Sequence, residues 1–357
     1  MDTLLPQLKE IRRERSMMLT LSILIFLGIL LNLGSGALEL SISEVFQILS
    51  QPFGLSFSDT KVDNVKEAVV LHIRLPRVFL GLIVGGGLGI AGAFMQGIFR
   101  NPLADPGLIG VSAGAALAAS LFIVLGNQIE PLAGEWASSI GTPLCAFVGA
   151  LSITYLVWRM GTQGNRVSVS RLLLAGIAIN ALVGAVIGSL TLVATDSQLR
   201  DLTFWSLGSL NAANWPTVVN TALGVLPIAL IAPKVAKYLD AWLLGEAESH
   251  HLGVDIVRLK RLVVGATALA VGSAVAAAGI IGFIGLVVPH LIRLTFGPGH
   301  RFILPGSGLL GALILIIADL LARTVIAPVE VPIGIITALG GAPFFLLLLH
   351  TTKQGDL

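Results

Sequence analysis

The chain is predicted to be an all-α, polytopic membrane protein, and three observations carry that prediction. Of its 357 residues 55% are hydrophobic and only 12% charged, about half the charge of a soluble domain. Its apolar residues fall into about ten separate runs, most of them as long as the ~17–25 residues that cross a hydrocarbon core. Small residues recur at helical spacing inside those runs, as they do where helices pack in lipid. The mean hydropathy, +0.91, agrees. The connecting segments are too short for a separate soluble domain, so residues 1–357 read as one transmembrane domain.

The predicted spans are 17–35, 75–98, 107–126, 139–158, 171–194, 216–233, 261–279, 282–296, 303–325 and 333–350. The first follows the basic stretch Lys9–Arg15. It is long for a signal sequence and no A-x-A cleavage pattern follows, so it reads as a retained helix behind a cytoplasmic tail, 1–16. Segment 36–73 lies outside and holds Ile42, Val45, Phe46 and Leu49 at helical spacing, which predicts a surface amphipathic helix over Ser41–Gln51. The second span carries Gly81, Gly85 and Gly89 on one face. It ends in the polar elbow Arg100–Pro106, which turns the chain back into the membrane. The lone Cys145 lies in an apolar run and reads as a buried structural thiol. The span at 282–296 is short and flanked by Gly and Pro, which suits a tilted or broken helix.

Ten crossings place both termini on one side, and the basic residues say which. With cytoplasmic termini, 16 of the 22 Lys and Arg fall inside; the six outside are Lys61, Lys66, Arg74, Arg77, Arg200 and Arg323. The longest inner loop, 234–260, places Trp242, Leu243 and Leu244 side by side, and Gly245 and Gly253 predict breaks around a short helix. Two readings stay open for it: burial against the membrane domain, or docking of a soluble partner.

Several motifs exclude as much as they suggest. Gly87-Leu88-Gly89-Ile90-Ala91-Gly92 fits G-x-G-x-x-G, yet it sits within a span and lacks the βαβ setting of a dinucleotide site. Helix packing explains it. No P-loop occurs, so work driven by ATP falls to another subunit. The six histidines are scattered over both faces, which does not support a metal or haem relay. No catalytic constellation or intramembrane protease motif is present, so no catalytic residue is assigned. Asp319 and Arg323 are four apart, the spacing of an intrahelical ion pair. Arg74 and Arg77 share a face at the outer mouth of the second span. They read either as interfacial snorkelling or as a positive rim for an acidic partner. Pro106–Val111 is faintly echoed by Gly282–Val287 in a span of opposite direction, as inverted repeats require.

Taken together, Arg74-Leu75-Pro76-Arg77, Gly92–Gln96, Asn101–Val111, Gly282–His290, Ala318–Arg323, Pro332-Ile333-Gly334 and Gly341–Phe344 resemble the permease subunits of ABC importers for iron chelates, haem and vitamin B12. The resemblance covers nearly the whole chain after the first helix.

It implies a type II importer in the bacterial inner membrane, with ten helices per permease and an internal inverted repeat. The implied partners are a second copy of the chain, two cytoplasmic ATPases that hold ATP and Mg, and a periplasmic binding protein; no nucleic acid is implied. No cofactor or metal is implied on this chain. Arg74, Arg77 and Arg323 match the family's docking arginines, which pair with glutamates of the binding protein. Asp240, Trp242, Leu243, Leu244, Gly245, Glu246, Leu252 and Gly253 match the segment that couples to the ATPase. Gly176, Asn180, Gly184, Gly188, Trp205 and Ser206 fall where the pathway and gate are implied. The Gln198–Trp205 block is most similar to haem permeases, which makes haem the first choice of cargo, with siderophore iron and cobalamin as the others. The competing class is a secondary transporter driven by an ion gradient.

Overall fold

The computed structural model describes residues 4–36, 38, 40–50, 63–133, 135–164 and 166–351. Ten long helices correspond one for one to the predicted spans: α1 (Leu4–Gly34), α4 (Leu75–Phe99), α5 (Val111–Ala133), α6 (Glu135–Gly161), α7 (Val169–Thr191), α9 (Trp215–Leu243), α11 (Ile256–Ala278), α12 (Ile284–Phe296), α13 (His300–Thr324) and α14 (Ile333–Thr351). Short helices fill the connections: α2 (Ile42–Ser50), α3 (Asn64–Ala68), α8 (Asp196–Leu207) and α10 (Glu246–His251). Strands β1 (Thr162–Gln163) and β2 (Arg166–Val167) form a small hairpin between α6 and α7.

The fold is built around α4, most of which is buried although it is apolar on every side. In hydrocarbon, apolar surface alone does not draw helices together; close packing of backbones does. The glycine face supplies it. A Cβ at Gly85 would overlap the Gly311 carbonyl of α13, and one at Gly89 would overlap the Ser307 carbonyl. Gly92 meets the Gly285 carbonyl of α12 in the same way. The apparent nucleotide fingerprint is therefore a three-sided packing device: Gly87 faces Val225 of α9, Gly89 faces α13 and Gly92 faces α12. A second pair, α5 and α6, is joined by the same means, with Gly114 and Gly149 each against the other's carbonyl.

The two segments of the faint sequence echo meet at the centre. A Cβ on Gly285 would lie 3.1 Å from Pro106 Cδ and 3.2 Å from Asp105 Oδ2. Each segment enters its helix through a left-handed residue, Gly110 before α5 and Phe283 before α12. This break is what shortens α12.

Several boundaries differ from the sequence reading. The helix carrying Arg74 and Arg77 starts at Asn64, runs through α3 and a π-helical turn at Val69–Arg74, and continues into α4. Helix α9 does not end at 233; it continues through Pro233 to Leu243, so the inner loop begins ten residues later. Residues 4–16 of the tail are helical and continuous with α1. In α2 the buried residues are Val45, Gln47 and Ile48, whereas Ile42 and Phe46 are exposed, so the packed face is rotated from the one expected; Gln51 lies outside the described residues. Cys145 is half-buried.

Substituting Gly92→Val should abolish monodisperse folded protein, because overpacking costs about 1–3 kcal/mol and more where backbone must move. Gly265→Ala, where a Cβ meets nothing within 4 Å, should leave the thermal midpoint unchanged. Size exclusion and a melting scan in detergent read both.

Candidate functional site

At its outer end α4 enters a charged network. The π-helical turn ending at Arg74 places Arg74 and Arg77 side by side, and both are buried, at 5% and 8% exposure. Arg77 Nε donates to Asp319 Oδ1 at 2.9 Å, and its two terminal nitrogens grip Glu330 at 3.1 and 3.0 Å. Arg323 completes the set: its Nε lies 3.3 Å from Asp319 Oδ2, and Nη2 donates to Asn32 Oδ1 at 2.7 Å. Asn32 in turn donates to the Ile316 carbonyl at 3.0 Å, tying α1 to α13. Arg74 donates to the carbonyls of Leu33 and Leu38.

The expected Asp319–Arg323 pair is present, but Asp319 is shared with Arg77 of another helix. The three arginines do converge. They converge inward, however, with their donors engaged by the chain's own carbonyls and carboxylates, rather than standing free as an outward rim. Desolvation is the reason: a guanidinium at this depth needs its acceptors within the protein. Glu330 is the half-exposed member, at 36% of its side chain. Asn32 and Glu330 were not singled out from sequence; a lone amide within the first apolar run was the available signal for Asn32.

Beside this network, α2 is clipped to α3 by Glu44 and Lys66, 2.5 Å apart. That bond and those from Ser41 hold the Glu44 carboxyl down at about 2.

At its inner end α4 stops at Arg100, whose left-handed φ of 50° turns the chain into the elbow. The Arg100 guanidinium sits 3.9 Å from the Trp242 ring centroid, and Lys260 Nζ lies 4.9 Å from it. Trp242 Nε1 donates to the Ile98 carbonyl at 3.1 Å, and Lys260 Nζ donates to the Val167 carbonyl at 2.9 Å. This stack locks α4, α9, α11 and the β hairpin together. Two residues earlier Asp240 accepts from His300 N at 2.7 Å and faces His300 Nδ1 at 2.8 Å, fixing the start of α13.

The two readings of the inner loop therefore divide by residue. Asp240 and Trp242 are internal braces. Leu243, Leu244 and Leu252 are exposed, the last two at 65% and 62%. Gly245 and Gly253 take positive φ at either end of α10, as the predicted breaks require, and Glu246 opens that helix at the surface.

The six gate positions do not form one open wall. A Cβ at Gly176 would overlap the Leu108 carbonyl, and Asn180 Nδ2 donates to the Gly107 carbonyl at 3.2 Å. Both fasten α7 to the elbow. Trp205 is half-buried against the main core, and its carbonyl abuts Gly279. Ser206 is exposed and donates to Thr203 O at 2.8 Å. Only Gly184 and Gly188 face open space, on a side of α7 that also exposes Ile177 and Ala181. Small residues were legible in the sequence, but not which of them are filled by a neighbour.

The family model described as the FecCD transport family matches residues 23–351. The hemin transport system permease protein HmuU of Yersinia pestis is 43% identical over 339 residues, covering 94% of this chain and 96% of that protein. The cobalamin import system permease protein BtuC of Halobacterium salinarum is 41% identical over 293 residues, covering 81% and 75%. Among solved structures, an inward-facing metal-chelate type ABC transporter superposes with a TM-score of 0.81 at 30% identity, covering 95% of this chain and all of that one.

Asp319→Asn should lower stability by about 3–5 kcal/mol, because it leaves two buried guanidinium groups short of a counter-charge. Glu330→Gln, half-exposed, should cost about 1 kcal/mol or less. Detergent melting scans separate the two. The Glu44–Lys66 clip has the opposite pH logic to a histidine switch. Its carboxyl is depressed when folded, so its contribution is full above the unfolded value of ~4.3 and is lost as pH falls toward 2. Amide protection factors in α2, taken against the intrinsic exchange rate at each pH, should therefore fall across that window, and Lys66→Met should remove the dependence.

Proposed function

The chain belongs to the FecCD transport family, and on that premise we propose that it forms half of the pathway of an importer that carries haem across the inner membrane. It is a multi-pass ABC importer permease. The further reading is that two copies enclose the pathway, two ATPases drive it, and a periplasmic binding protein delivers the cargo. The observation that carries this reading is the inner corner of α9 and α10. Three exposed leucines, Leu243, Leu244 and Leu252, project from a segment braced by Trp242, Arg100, Lys260 and the Asp240–His300 pair. A rigid mount beneath an exposed apolar knob suits the transmission of force from a soluble subunit.

The 43% identity to a hemin permease supports haem; the 41% identity to a cobalamin permease keeps cobalamin as the second reading. An ion-driven mechanism is disfavoured, because it needs an intramembrane acid free to bind its ion. Asp319 is instead held between two arginines. At the outer face, docking would proceed by exchange. A carboxylate of the binding protein replaces Glu330 on Arg77, since the bidentate geometry is the same and Glu330 is the exposed partner. The open face of α7, with Gly184 and Gly188, is assigned to the pathway.

In proteoliposomes with the cognate ATPase, Leu244→Asp should reduce cargo-stimulated ATP hydrolysis at least several-fold while the melting midpoint is unchanged. Normal stimulation would place the docking site elsewhere. For the outer face, Arg77→Glu should weaken binding-protein capture and Glu330→Gln should strengthen it at low salt, read by surface plasmon resonance. Equal affinity in both variants would remove the exchange reading. The ligand retained by the cognate binding protein decides between haem, siderophore iron and cobalamin.

A further inference from the structure

A cavity of about 1110 Å³ lies between α1, α4, α9 and α13, away from the α7 face assigned to the pathway. Its floor is flattened where α4 and α13 approach at Gly86 and Gly308, a Cβ at Gly86 standing 3.3 Å from the Gly308 carbonyl. Its walls are aliphatic, and Leu226 on its border is exposed, as are Leu223 and Leu230 on the same helix. These exposed side chains mark a surface that meets hydrocarbon. One end of the groove is different: Lys237, Asp240 and Arg301 line it.

The charges at that end are not balanced within the protein. Oδ1 of Asp240 is engaged by the backbone N and Nδ1 of His300. Among the described residues, Lys237 and Arg301 take part in no ion pair, and both are exposed. The groove thus presents two cations against the single carboxylate of Asp240, a net positive end, at the level where α9 and α13 reach the cytoplasmic interface. The apolar part extends along α13 from Arg301 to Ala312. At 1.5 Å per residue that is roughly 16 Å, about half of a ~30 Å hydrocarbon core. Its depth is that of one leaflet.

We propose that this groove is a binding site for an anionic phospholipid of the cytoplasmic leaflet. The phosphate lies between Lys237 and Arg301, and an acyl chain lies over Gly86 and Gly308 against Ile90 and Ala229. Basic pockets between transmembrane helices on the cytoplasmic side suit anionic head groups. A bound chain fills a notch that would otherwise leave the joint between α4 and α13 bare on one side.

The test uses the full-length protein reconstituted in vesicles of equal phosphatidylglycerol and phosphatidylethanolamine, re-extracted in mild detergent and weighed by native mass spectrometry. Wild type should retain phosphatidylglycerol about tenfold over phosphatidylethanolamine. The Lys237→Gln/Arg301→Gln double variant should lose that preference, and Ala229→Trp, which fills the slot but keeps both charges, should lose the bound lipid altogether. Each variant is first required to elute as a single symmetric peak in gel filtration and to melt cooperatively. Equal retention of the two lipids by wild type, or undiminished phosphatidylglycerol in either variant, overturns the proposal. A loss of dimer mass in Ala229→Trp with lipid retention intact would also overturn it, since it would assign the groove to a second copy.

Discussion

The whole arrangement depends on backbone lying directly against backbone along α4. Gly85, Gly89 and Gly92 each face a carbonyl of α13 or α12 at a separation that admits no side chain. In lipid this is the main way to bind helices tightly, because burying an apolar side chain gains little over leaving it among acyl chains. Once the glycines fix the spacing, the larger side chains of α4, such as Phe94, Met95 and Ile98, are completely buried against α9, α11 and α12. The sequence can therefore afford a helix that is apolar all round.

From that centre the two ends of α4 acquire their roles. Outside, the π-helical turn brings Arg74 and Arg77 to the same level as Arg323 and Asp319, so that α4 and α13 are joined by charge where they are no longer joined by glycine. Inside, Arg100 and Trp242 join α4 to the corner of α9 and α10. A single stiff element thus connects the face proposed to receive a binding protein with the face proposed to meet an ATPase. By contrast, α7 packs on α5, α6 and the turn before α5, with Gly176 and Asn180 among its fastening points, and leaves Gly184 and Gly188 open. We propose that the first unit stays rigid during transport while α7 moves.

Much of this was legible in the sequence, for physical reasons that differ by element. All ten spans were found because hydrocarbon thickness imposes a length that composition cannot disguise. The glycine face of α4 was found because a four-residue repeat fixes the direction of its members without knowledge of the partner. Partnerships across hundreds of residues were not legible. Nothing local in Arg77 announces that Glu330 will hold it, and the exposure inferred for the arginines from their unusual sidedness gave way to internal pairing. The end of α9 was misplaced because Pro233 and Lys234 look like a stop, whereas in the structure the proline sits within a continuous helix. The segment Asp240–Gly253 was singled out as a stretch, and its breaks at Gly245 and Gly253 stand where glycine predicts them. Which of its residues brace and which project depended on Arg100, which lies 142 residues before Trp242, and on Lys260 at the far end of the inner loop.

The central claim is that α4 and α13 form one body which does not deform while α7 moves. Spin labels in a Cys145→Ala background, at Phe79 and Leu321 for the first unit and at Phe79 and Val186 for the second, address it directly; all three sites are at the surface. In the assembled, reconstituted transporter, pulsed electron resonance distances would be compared with and without ATP. The Phe79–Leu321 distance within one protomer should be unchanged and the Phe79–Val186 distance displaced. A Phe79–Leu321 distance that changes with nucleotide while Phe79–Val186 stays fixed would contradict it.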